Sequence, residues 1–123
     1  MKFYFASRFR YKEKISEISK LLESKKHKVI SSWINSPSLK PYEENEKECR
    51  LMAKNIESEI KKCDVFVLID DRAGTDMFVE LGIAISLKKK IYVVGKYGKR
   101  SLMHLHPQIK NMLSMDDLLK MFL

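Results

Sequence analysis

The sequence predicts an α/β fold with a mainly parallel sheet of four or five strands, covered on both faces. Two observations carry this. Strand-like and helix-like segments alternate along the whole chain, as in linked strand–helix–strand units. Two segments, "CDVFVLID" and "KIYVVGK", are continuously apolar rather than alternating, which marks strands buried on both faces.

Each element can be justified in order. Residues 2–6, "KFYFA", read as a first strand, with Tyr4 and Phe5 facing opposite sides. Residues 12–24 place Ile15, Ile18 and Leu22 on one face of an amphipathic helix. Residues 27–33, "HKVISSW", read as a second strand. "INSPSLKPYEENE" follows, with two prolines and many polar residues, a long loop of the kind that often carries function. A second helix spans about 45–62, with Cys49, Met52, Ile56 and Ile60 as its buried seam. After the "CDVFVLID" strand, "AGTDMFVELGIAISL" reads as a third helix over 73–87, capped by Thr75 with Asp76 in its first turn. "KIYVVGK" is the next strand and "IKNMLS" holds a short one. Ser114 and Asp117 form a capping box for a last helix, "MDDLLKMFL". The set fits a small flavodoxin-like (Rossmann-like) three-layer arrangement.

The 123 residues suit one domain, 1–123, and 45% of them are apolar, enough for one core. No apolar run approaches the length of about 18 residues that spans a membrane. The N-terminal apolar patch is too short for a signal peptide, so a cytoplasmic protein is expected. Cys49 and Cys63 occupy apolar positions and read as free thiols of a reducing compartment. The net charge of +8 favours anionic partners. The basic residues are dispersed, however, and no element carries an aromatic-plus-basic stripe, which disfavours nucleic acid.

Sheets of this kind bind ligands at the carboxyl ends of their strands. That rule selects the loops "ASRFR" (6–10), "DDRAGTD" (70–76) and "GKYGKR" (95–100). Gly74 and Thr75 at a helix start form a generic anion site, and Ser7 and Arg8 add a hydroxyl and a guanidinium at the same rim. Plain helix capping and a solvated Arg8 are the competing readings. Asp70 and Asp71 either contact a ligand or end their strand. Trp33 either stacks on a base or joins the core, and Tyr4 either joins the core or brings its hydroxyl to the site. Neither a Walker loop nor a GxGxxG occurs, so a nucleoside triphosphatase or standard dinucleotide fold lacks support. His104 and His106, two residues apart without a Cys or carboxylate beside them, do not specify a metal site. No metal or cofactor is expected.

Glu80 is the anomaly. Its helix neighbours are Asp76, Met77, Ile83 and Ala84, with no Lys or Arg at a pairing position. A buried carboxylate without a partner is costly. Either Glu80 looks into the cleft or a group outside its helix satisfies it. A carboxylate beside an anion site suits attack on the anomeric carbon of a sugar, with a glycosyl-enzyme intermediate. A salt bridge to a distant Lys is the alternative.

The stretches "KFYFASRFRYKEKISEISKLLESKKHKVISSWI", "CDVFVLID" and "GTDMFVELGIAISLKKKIYVVGK" resemble the nucleoside 2-deoxyribosyltransferase superfamily, which includes 2-deoxynucleoside 5-monophosphate N-hydrolases. The resemblance covers nearly the whole chain. Its most specific part is "VELGIAISLKKKIYVVG", matching an E-[LF]-G-x-A motif followed by Lys and a strand. It implies Glu80 as nucleophile, "ASRFR" as part of the phosphate-holding loop, and a flavodoxin-like fold assembled as a homodimer or larger oligomer. "MHLHP" resembles an "FHxLP" stretch of short homologues. Members commonly carry a sugar-contacting Asp where this chain has Ile56; Glu59, on the same helix, is the acid that stands in for it. The expected function is therefore N-glycosidic bond chemistry on a (deoxy)nucleoside or its 5-monophosphate, by hydrolysis or base transfer. Glu80, Tyr4 and Glu59 are the catalytic candidates, and Ser7, Arg8, Asp70, Gly74, Thr75 and Trp33 the binding ones. The alternative is a nucleotide-binding module that has lost turnover with the helix-two Asp.

Overall fold

The computed structural model describes residues 1–123. In chain order it contains β1 (Lys2–Ala6), α1 (Lys12–Ser24), β2 (Lys28–Val29), α2 (Glu46–Lys62), β3 (Val65–Ile69), α3 (Asp76–Ser86), β4 (Lys90–Val94), β5 (Ile109–Met112) and α4 (Met115–Lys120). The five strands form one sheet in the order β2-β1-β3-β4-β5, and every pair is parallel. The expected flavodoxin-like α/β fold is what the chain adopts.

Strand alternation divides the core into two layers. Phe3, Phe5, Val65, Val67, Tyr92 and Val94 face α1 and α4, whose Ile15, Ile18, Leu22, Met115, Leu118 and Leu119 close that side. Tyr4, Ala6, Phe66, Leu68, Ile91 and Val93 face the other way, onto Ile60 of α2 and Met77, Leu81 and Ala84 of α3. Each fully buried aliphatic or aromatic side chain stabilises this sandwich by roughly 1.5–3 kcal/mol. Tyr4 thus lies on the α2–α3 side, the side of Glu80.

Several elements differ from expectation. The second strand is two residues long rather than spanning 27–33. The ladder ends because side chains replace backbone partners. The Ser31 hydroxyl accepts the Phe5 N–H at 2.6 Å, and the Trp33 indole N–H donates to the Phe5 carbonyl at 2.8 Å. The chain then turns into a 3₁₀ segment, Ser32–Asn35. A second 3₁₀ turn, Tyr42–Glu44, lies in the loop before α2. In α2 only Ile60 is buried, while Cys49, Met52 and Ile56 are half-buried. Length explains this. A helix of 17 residues is about 25 Å long, against about 17 Å for a strand of five residues. The first turns of α2 overhang the carboxyl edge of the sheet. The third helix begins at Asp76, directly after Thr75 at the expected cap position, and Ala73 and Gly74 stay outside it because Gly74 holds a φ of +114°. At the last helix, the Ser114 hydroxyl accepts the Asp117 N–H at 3.2 Å, as the capping pattern predicts. No helix is long and apolar enough to cross a membrane.

The chain passes from β1 outward to β2 and then crosses back to β3 on the other side of β1. The crevice at such a reversal, above the carboxyl ends of β1 and β3, is where open α/β sheets bind ligands.

Candidate active site

Glu80 lies on the flank of α3 between Met77 and Ala84, both packed on the sheet. Its partner comes from outside the helix: the Tyr4 hydroxyl on β1 donates to Glu80 Oε1. Only 8% of Glu80 and none of Tyr4 is exposed. Burial pushes the Glu80 carboxyl up to about 7; the Tyr4 hydrogen bond opposes the rise, and the charges of Asp76 and Glu59 add to it. Burial and the adjacent Glu80 push the Tyr4 phenol far up, so it remains a proton donor throughout the physiological range. A carboxyl raised to about 7 and held by one donor has the ionisation that a nucleophile or base at neutral pH requires.

Glu59 belongs to the same group. Its charge is felt at both Glu80 and Tyr4, and its Oε1 accepts the Ser32 N–H at 3.2 Å. The structure therefore brings all three catalytic candidates together. Ile56, one turn earlier on α2, packs against the core on this side.

The rim is formed by the loops after β1 and β3. Arg8 Nη1 lies 3.2 Å from Asp71 Oδ2, which also accepts the Tyr11 hydroxyl at 3.1 Å. The Arg72 N–H, 2.6 Å from Asp71 Oδ1, joins Tyr11 and Arg8 in holding the Asp71 carboxyl below the usual carboxylate range. Arg8 is thus oriented at one nitrogen, with further donors of its planar fork remaining. Gly74 packs against its stem: a Cβ there would lie 2.8 Å from Met77 Cε and 3.3 Å from Arg8 Cγ. Thr75 holds the N-cap position of α3 but makes no capping hydrogen bond, contrary to expectation. The positive φ of Gly74 reorients the chain just before it. The Ser7 hydroxyl donates to the Arg8 carbonyl at 2.9 Å.

Two binding candidates are placed differently from expectation. Asp70 is not at the rim. Its side chain is 1% exposed, with Oδ2 turned to His104 Nε2 at 3.4 Å and Oδ1 accepting the Asp71 N–H. Trp33 lies beyond β2 with its indole N–H engaged by Phe5, and it packs against both core layers. It braces the end of β1, and its ring lies 6.5 Å from that of Phe9. In the third loop, Arg72, Lys96 and Arg100 gather around the Tyr97 ring, and Arg72 Nε donates to the Tyr97 hydroxyl at 2.8 Å.

Three contributors were not visible as such in the sequence. Asp76 adds negative charge at Glu80. Tyr42 stands 47% exposed near Asp76, whose charge joins burial in raising its phenol. Tyr11 positions Asp71 and so Arg8. The signal for Tyr42 was an aromatic residue in a polar loop; Tyr11 had none.

The Tyr4 hydrogen bond can be tested alone. Because it stabilises the charged form of Glu80, Tyr4→Phe moves the Glu80 carboxyl further up. A hydrogen bond to a charged group contributes about 1.5–3 kcal/mol, so any reaction that uses the ionised carboxylate is expected to slow roughly 10- to 100-fold at neutral pH. The pH–rate profile moves to higher pH. A profile that keeps its position, measured across pH 5–9, would show that the hydroxyl does not tune Glu80.

No protein-family model matches the chain, and no curated protein matches it significantly. A solved structure does. The chain is similar to a CMP N-glycosidase, BcmB, from Clostridium botulinum, with a TM-score of 0.65 and 22% identity over 98% of each chain. The likeness is one of fold over the full length of both.

Proposed function

We propose that the chain is an N-glycosidase of the nucleoside 2-deoxyribosyltransferase type, acting on a nucleoside 5-monophosphate. The observation that carries this reading is Glu80: buried on α3, bonded to Tyr4 of β1 and raised to about 7. The full-length fold likeness to a CMP N-glycosidase supports it and makes CMP the first substrate to try.

In this reading Glu80 attacks C1 of the sugar. The C1–N bond breaks, and the base departs with the bonding electrons and takes up a proton. Water then attacks C1 of the glycosyl ester, gives up a proton and releases Glu80; a second base in place of water would give transfer. Tyr4 holds the carboxylate in line, and Glu59 takes the position-adjusting role of the acid absent at Ile56. Arg8, Ser7 and the Gly74–Thr75 turn at the start of α3 hold the phosphate, where the helix N-terminus favours an anion. Trp33 and Tyr42 border the base. The chain works as a homodimer or larger homo-oligomer; light scattering of the protein in solution measures the mass.

The test is incubation with CMP, other 5-monophosphates and the free nucleosides, followed by chromatography for free base. Release from monophosphates, and slower release from nucleosides, is the expected result. Ile56 favours a second reading, a nucleotide-binding module without turnover. It predicts that nucleotides raise the melting temperature while no base is released.

A further inference from the structure

Across α3 from Glu80 lies a separate cavity of about 370 Å³. Its floor is apolar, from Phe78, Leu81 and Ile85 of α3 with Met103. At its edge stand Arg100, Ser101 and His104. The glycosidase chemistry uses none of these residues.

Three side chains from two distant segments line up there. The Ser101 hydroxyl lies 2.5 Å from His104 Nδ1, and it also accepts the His104 N–H at 3.3 Å. On the far side of the ring, His104 Nε2 faces Asp70 Oδ2 at 3.4 Å. The His104 side chain is 4% exposed and that of Asp70 1%; the two atoms face each other at ion-pair distance, and neither makes a hydrogen bond. The tautomer with its proton on Nε2 turns that proton toward the carboxylate and leaves Nδ1 free to accept from the serine hydroxyl. The ring is fixed by Phe78, packed edge-on at 5.7 Å, and by Asn111, whose amide donates to the His104 carbonyl at 3.0 Å. Ser101 itself is exposed at the mouth.

An exposed hydroxyl, a base against it and a buried carboxylate orienting the base are the parts of an activated serine, which is recognised by geometry and roles rather than by fold. We infer that Ser101, His104 and Asp70 form a second reactive site that accepts acyl groups from esters of small apolar acids. Ser101 Oγ attacks the ester carbonyl carbon while its proton passes to His104 Nδ1. The alkoxide leaves with the C–O bonding electrons and takes that proton. Water then attacks the acyl-serine, again giving its proton through His104, and the carboxylic acid departs. The Asp70 carboxylate faces the imidazolium formed in each half. Arg100 supplies positive charge for the oxyanion, and the apolar floor takes the acyl chain.

The experiment uses the full chain with p-nitrophenyl butyrate, and separately with a fluorophosphonate probe whose attachment site is read by peptide mass spectrometry. Expected are ester turnover above the buffer rate, label on Ser101, and loss of both in Ser101→Ala, with turnover down about 100-fold or more. Because Ser101 is exposed, Ser101→Ala folds like the parent, which its melting temperature checks. Ester turnover unchanged in Ser101→Ala, label on another residue, or no label on the parent protein each overturns the inference. His104→Gln abolishes labelling while Ser101 remains, provided its melting curve shows a folded protein; continued labelling of that folded variant would equally overturn it.

Discussion

Glu80→Gln is expected to lower base release from the best nucleotide substrate by about 10⁴-fold, with no loss of fold. The amide oxygen still accepts the Tyr4 hydroxyl, and the side chain keeps its length, so the packing between β1 and α3 is retained. What is lost is the carboxylate that attacks C1 in the proposed reaction. Nucleotide binding, read as a rise in melting temperature, should survive in the variant, because Arg8 and the Gly74–Thr75 turn are untouched. Chromatographic assay of the parent and variant side by side decides the matter. Full turnover in Glu80→Gln would remove Glu80 from the chemistry. No turnover in the parent, with binding in both, would favour the non-catalytic module and make Ile56 the residue to restore to Asp.

The second large effect couples activity and stability to pH through the same carboxyl. In the proposed reaction Glu80 must be ionised, so kcat/KM is expected to rise with pH and level off above about 7. Stability moves the opposite way. The ordinary value of 4.5 is raised to about 7 in the folded chain, so the folded state holds this proton more tightly than the unfolded one. Between those two values the folded state binds more protons, and stability falls as pH rises. The favourable contribution of the neutral carboxyl is complete below 4.5 and absent above about 7. Over the whole window the difference is about 3 kcal/mol. Glu80→Gln, neutral at every pH, lacks this loss. The two proteins should melt alike near pH 4.5 and differ by roughly 10 °C at pH 8, with the variant more stable. Parallel melting curves for the two across pH 4–8 would mean that Glu80 is not held at a raised value. The enzyme reading thus predicts a residue that lowers stability at the pH where it works.

Much of this architecture was legible from local pattern. The unbroken apolar runs at 65–69 and 91–94 mark strands covered on both faces, and the spacing of Ile15, Ile18 and Leu22 reports the helical period of 3.6 residues, both of which neighbouring positions encode directly. Glu80 was visible as a problem for the same reason, since the helix repeat showed it among apolar residues with no partner within one turn. The alternation of β1 placed Tyr4 and Phe5 on opposite faces, without saying which face met Glu80. Local pattern failed where side chains took over from backbone. Val29 to Trp33 reads as strand, yet Ser31 and Trp33 occupy the hydrogen-bonding edge of Phe5 and end the ladder.

The sequence by itself determined the alternation of elements, the parallel buried sheet, the loops that could hold a ligand and the residue whose burial needed explaining. Only the tertiary structure decided what answers it. The strand order β2-β1-β3 sets the crevice between β1 and β3, and the packing of α3 across that pair brings Tyr4 to Glu80 over a separation of 76 residues. The same long-range placement turns Asp70 inward to His104 and gives Arg8 to Asp71. These pairings depend on register and layer packing among distant segments, and no local repeat carries that information.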